Sequence, residues 1–200
     1  GVDALHWVTD RITQNPTLAA RLTPYEERFC GRKIIGITTH RRENFGDGMD
    51  NIAAAIRAIA ARDDVACIFP VHMNPNVRAV MEAALDDLPN VAMIEPLDYP
   101  NFARLLSISH IMLTDSGGIQ EEGPALGKPV MVLRTETERP EAVEAGTVCL
   151  VGTSKIKIVN EVTRLLTDSM YYNQMSTAHN PYGDGNATIK IINFLMKYVK

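Results

Sequence analysis

At 200 residues, 46% hydrophobic and with a net charge of −4, the chain has the size of one domain with a full core, and lacks the cationic surplus of a protein that coats nucleic acid or an anionic membrane. No apolar run approaches the ~20 residues of a membrane-spanning helix, and residues 1–30 lack the basic start and apolar middle of a secretion signal. Cys30, Cys67 and Cys149 lie too far apart for a disulfide framework or a metal-ligand spacing, so a reducing cytoplasm is expected, with no metal or redox cofactor.

The chain opens with helical periodicity over Val2 to Ile12, then a polar stretch holding Pro16 and Pro24. Residues 1–30 therefore read as an interdomain helix and linker, and residues 31–200 as the domain proper. Short apolar runs follow at Ile34 to Thr38, Val65 to Phe69, Val91 to Ile94, Ile111 to Thr114, Val130 to Leu133 and Thr147 to Val151. Helical patterns separate them; between the first two runs, Met49, Ile52, Ala53, Ile56, Ile59 and Ala60 keep the spacing of one helix face. This alternation predicts a doubly wound α/β domain, a mainly parallel six-stranded sheet with helices on both faces. Residues 154–200 carry no strand signal and read as two or three closing helices, broken by the turn-rich Asn180 to Gly185.

Sheets of this kind bind ligands beyond the carboxyl ends of their strands. The run Ile111 to Leu113 leads into Thr114, Asp115, Ser116, Gly117, Gly118, Ile119, Gln120, Glu121 and Glu122, a strand that turns through two glycines into a helix. The helix start presents unpaired N–H groups suited to phosphate, and Glu121 or Glu122 can accept from a sugar hydroxyl, so a nucleotide is expected. His40, Arg41 and Arg42 follow the first strand and suit a diphosphate, though a solvated basic loop would look the same. His72 either contacts a ligand or satisfies a turn before Asn74 and Pro75. On pattern alone Phe102 reads as a core aromatic, and Arg139 as a surface partner of Glu138 or Glu141.

Five segments together resemble the non-hydrolysing bacterial UDP-N-acetylglucosamine 2-epimerases: 39–46 (THRRENFG), 70–75 (PVHMNP), 113–122 (LTDSGGIQEE), 137–141 (TERPE) and 180–185 (NPYGDG). The resemblance covers the C-terminal half of that family. It implies the Rossmann-like C-terminal half of a glycosyltransferase-B-type fold, with the nucleotide held against an N-terminal domain outside this chain. It further implies that Ser116, Gly117 and Gly118 hold the diphosphate, that Glu122 takes the ribose hydroxyls, that Phe102 and the backbone near Leu97 flank the uracil, and that Arg139 contacts the nucleotide.

His40 matches the family histidine at the reacting end of the diphosphate, while Arg41 and His72 match positions implicated in a second, regulatory UDP-N-acetylglucosamine site. The activity implied is interconversion of UDP-N-acetylglucosamine and UDP-N-acetylmannosamine by elimination and re-addition of UDP. The acids that move the C2 proton belong to the N-terminal domain, so the chain alone is expected to be inactive and the full-length protein a homodimer. Alternatives are the donor-nucleotide domain of a glycosyltransferase-B-type glycosyltransferase and a binding module without chemistry.

Overall fold

Short runs of β-branched and aliphatic residues pair into a six-stranded sheet in the computed structural model, which describes residues 1–71 and 73–198. The strands are β1 (Lys33–Thr38), β2 (Val65–Pro70), β3 (Val91–Ile94), β4 (Ile111–Thr114), β5 (Val130–Val132) and β6 (Val148–Leu150). Their order is β3-β2-β1-β4-β5-β6, and every neighbouring pair is parallel, so the expected mainly parallel sheet is parallel throughout.

Side chains alternate across the strands, and both faces are buried. Ile35, Ile37, Cys67, Phe69, Leu113 and Met131 face one side, under α3 (Asp47–Ala60), α4 (Pro75–Leu85), α8 (Lys155–Thr167) and α9 (Ser169–Ser176). Ile34, Ile68, Met112, Val130 and Val132 face the other, under α1 (Val2–Gln14), α5 (Tyr99–Ile108), α6 (Ile119–Ala125) and α7 (Pro140–Glu144). The stripe from Met49 to Ala60 is the buried face of α3, as its spacing predicts. At Gly36 a Cβ would fall 2.5 Å from Met112 Sδ and 2.6 Å from Ser109 Oγ, so a larger residue there would have to displace side chains of β4 and of the end of α5.

Residues 1–30 do more than connect. Leu5, Val8 and Ile12 of α1 are buried, as is Leu22 at the end of a 3-10 turn (Pro16–Leu22), and Phe29 is buried after α2 (Thr23–Arg28). The segment is packed on the domain by its apolar residues, whatever it joins. At the other end, α8, α9 and α10 (Ala187–Leu195) follow the last strand, with 180–185 as the expected break. α10 buries none of its residues, and Ile189, Ile191, Ile192, Phe194 and Leu195 are each more than half exposed. Among the described residues, no helix is long and apolar enough to cross a membrane.

Candidate functional site

The chain reverses its winding direction between β1 and β4, and the crevice at such a switch point is where doubly wound sheets bind ligands. A cavity of about 320 Å³ opens there, within the size range of small-molecule pockets. Its floor is Thr38, Thr39 and His40 from the end of β1 and Ser116, Gly118 and Ile119 from the turn after β4. Its wall is Leu97, Tyr99 and Phe102, with Pro70 and Pro96, and Glu122 closes one side.

The phosphate-sized end is made by backbone. Thr38 Oγ1 and Thr114 Oγ1 lie 2.6 Å apart across the strand ends, and the Ser116 N–H donates to Thr114 Oγ1 at 3.0 Å, which turns the chain sharply. The N–H groups of Gly117, Gly118 and Ile119 have no acceptor among the described residues, as expected of a helix start. Neither glycine has the positive φ that would demand it, and a Cβ at Gly117 would meet nothing within 4 Å. The chain itself has no need of glycine here; a ligand lying on the backbone would.

The two neighbouring glutamates part company. Glu121 accepts from Arg139 Nε at 2.5 Å, on the side away from the cavity, and its carbonyl accepts from Asn180 Nδ2 at 3.1 Å. Glu122 lines the cavity and accepts from the Tyr99 hydroxyl at 2.9 Å. Burial pushes the Glu122 carboxyl above its usual range, opposed by the Tyr99 hydrogen bond. Tyr99, at the first position of α5 after the Asp98 cap, escaped the sequence reading as a site residue; an aromatic hydroxyl placed beside a helix cap carries no pattern of its own.

On the opposite side, the 39–44 loop is shaped by one carboxylate. Asp115 is fully buried, and its Oδ2 accepts from Thr39 Oγ1 at 2.8 Å, from the backbone N–H groups of His40 and Arg41 at 2.9 and 2.8 Å, and from Asn44 Nδ2 at 3.2 Å. Its Oδ1 lies 3.1 Å from His40 Nδ1. Burial works to raise the Asp115 pKa, but the hydrogen bonds from His40, Arg41 and Thr39 outweigh it and the net shift is downward. Arg134, after β5, pairs with Glu43 and Glu138 and so ties the loops after β1 and β5 together.

Of the residues singled out by sequence, His40, Leu97, Phe102, Ser116, Gly118 and Glu122 line the cavity. Gly117 adjoins it in the turn. Arg139 is not in the lining: its side chain pairs with the carboxylate of Glu121, not with that of Glu138 or Glu141 as a surface reading expects, and donates from Nη1 to the Glu138 backbone carbonyl at 3.0 Å, while its N–H donates to Thr137 Oγ1 at 3.0 Å. Arg41 is half-buried beside His40, with its Nε buried and without a hydrogen-bond partner among the described residues. His72 lies outside the described residues.

Comparison with known proteins gives this geometry a context. A family model described as UDP-N-acetylglucosamine 2-epimerase matches residues 1–196. A probable UDP-N-acetylglucosamine 2-epimerase of Ralstonia nicotianae is 52% identical over 98% of this chain and 53% of its own length; the chain thus spans about half the length of the curated relatives it matches. The crystal structure of UDP-GlcNAc 2-epimerase from Neisseria meningitidis bound to UDP-GlcNAc superposes with a TM-score of 0.89 at 44% identity, over 98% of this chain and 53% of that one. The C-terminal domain of a group 1 glycosyltransferase from Francisella tularensis, 16% identical, shares the fold with a TM-score of 0.64 over 82% of this chain and 89% of that one.

Proposed function

Because the chain belongs to the UDP-N-acetylglucosamine 2-epimerase family, we propose that it is the UDP-binding half of such an isomerase, interconverting UDP-N-acetylglucosamine and UDP-N-acetylmannosamine. The observation that carries this is the cavity at the β1/β4 switch point, with free N–H groups at one end, a carboxylate at its side and an apolar wall. The N–H groups of Gly117, Gly118 and Ile119, with Ser116, take the diphosphate; Glu122 takes the ribose hydroxyls; Leu97 and Phe102 flank the uracil. Arg139 joins when phosphate competes with Glu121 for its guanidinium.

Elimination breaks the C1–O bond as the C2 proton leaves, giving a glycal and bound UDP; re-addition with protonation on the other face completes the inversion. Negative charge develops on the departing diphosphate, where preorganised N–H donors and His40 lower the barrier, and retained UDP prevents loss of the intermediate. Among the described residues Glu122 is the one carboxylate that lines the cavity, and Tyr99 engages it, while Asp115 lies buried behind the 39–44 loop; the acids that move the C2 proton are assigned to the other half of the full-length enzyme. We further assign that enzyme to the cytoplasm, as a homodimer, with Arg41 and His72 at a regulatory sugar-nucleotide site.

The chain alone is expected to bind UDP weakly and to exchange no C2 hydrogen of UDP-N-acetylglucosamine with deuterated solvent; measurable exchange by the purified chain would sink the division of labour. Glu122→Gln removes the charged acceptor, and a hydrogen bond to a charged group contributes about 1.5–3 kcal/mol, so UDP affinity should drop roughly ten- to hundredfold. Calorimetric titration with pyrophosphate should show unchanged affinity; equal loss of both ligands would mean a damaged fold instead of a lost ribose contact.

A further inference from the structure

Among the described residues, His40 is the one cavity-lining side chain that can carry a positive charge, and its orientation is set from outside the cavity. We propose that Asp115 is the positioning residue of the site: from its buried place at the end of β4 it holds the Nδ1 proton of His40, fixing the ring so that Nε2 faces the diphosphate of a bound nucleotide. This rests on the nucleotide reading above, and assigns a task to the aspartate that precedes the glycine turn.

The geometry leaves Asp115 little freedom. It is fully buried, and the Oδ2 that four donors engage locks the carboxylate in place, leaving Oδ1 toward the imidazole. The His40 side chain is 42% exposed and lines the cavity while its Nδ1 edge is pinned by Asp115. An imidazole has two nitrogens on opposite edges, and the partner of one decides what the other can do. Nδ1 against a carboxylate is the donor; Nε2 is then an acceptor when the ring is neutral and a donor when it is charged.

Among the described residues, the charged and titratable groups facing His40 are Asp115 on one side and Arg41 beside it, with Glu122 and the Tyr99 hydroxyl across the cavity. The hydrogen bond to Asp115 raises the His40 pKa above 6.5, against burial and the Arg41 charge. The sign follows: a raised pKa keeps the ring protonated to higher pH, so diphosphate affinity is full below the His40 midpoint and declines as pH rises through it.

The test is a titration of His40 by nuclear magnetic resonance, with UDP-N-acetylglucosamine affinity measured between about pH 5 and 8. That probe is esterified at both ends of its diphosphate, so it lacks the ionisation near pH 6 of a terminal phosphate. In the native chain His40 should titrate above 6.5, with its neutral ring protonated on Nδ1; a proton on Nε2, or a midpoint at or below 6.5, would overturn the proposal without any variant. Asp115→Asn should lower the midpoint, weaken affinity at pH 7 and flatten its pH dependence. A purely structural aspartate would move stability and leave midpoint and profile alone, which overturns the proposal as well. If the native chain fails to bind the probe while His40 titrates as expected, it is the nucleotide reading that falls, not the pairing.

Discussion

Replacing Gly118 with alanine should leave the protein slightly more stable and cost it most of its affinity for UDP. Gly118 has φ −63° and ψ −36°, a conformation open to any residue, and an added Cβ would meet only Ser116 Oγ, at 3.9 Å. A compatible Gly→Ala change stabilises by about 0.4–1 kcal/mol through the unfolded chain, which for a domain of this size is roughly 1–4 °C in Tm. The methyl group would meanwhile stand on the floor of the cavity, over the N–H groups that a diphosphate must reach. A loss of at least about tenfold in affinity is expected, since one misplaced donor to a charged oxygen already costs 1.5–3 kcal/mol. Scanning calorimetry and titration with UDP read the two effects separately. A variant that binds as well as the parent would show that nothing approaches the backbone at this turn.

Phe69→Ala should produce the largest loss of stability. Phe69 is fully buried near the end of β2, in the apolar layer shared with Ile37 of β1 and the inner faces of α3 and α4. Truncating a buried phenylalanine costs about 3–5 kcal/mol from lost transfer energy and the cavity left behind, a large part of the 5–15 kcal/mol that holds a typical domain. Urea denaturation should show a lower midpoint with an unchanged slope. A shift worth under about 1 kcal/mol would mean that α3 and α4 collapse into the gap far more freely than a close-packed layer allows.

The sheet was legible because its strands are short apolar runs buried on both faces. All six of them fall within one residue of the expected ends, and the helix stripes between follow the 3.6-residue period. Strand order was not readable locally, since β1 pairs with β4 across a separation of more than 70 residues. The glycine turn and the polar loop after β1 raised the expectation of a phosphate site from residue types alone, and the structure brings both to one cavity. What stayed hidden were relations between side chains. The Tyr99–Glu122 bond, the Arg139–Glu121 pair and the Asp115 cluster each join segments distant in sequence, and nothing in the local pattern says which of two adjacent glutamates turns inward. Residues 1–30, polar and proline-bearing, read as a connector because their buried side chains, Val2, Leu5, Val8, Ile12, Ala19, Leu22 and Phe29, are spaced over several short elements.

The cluster around Asp115 also bears on the order in which the molecule assembles. The 39–44 loop takes its shape from a carboxylate 71 to 76 residues further along the chain. Contacts of such separation are slow to form, because loop-closure entropy is lost before the contact rewards it. At synthesis rates of about 5–20 residues per second, roughly 4 to 15 seconds pass between the emergence of His40 and that of Asp115. During that interval β1, β2 and β3 can pair in their final register with no cavity at the switch point; its floor is completed only by the turn after β4.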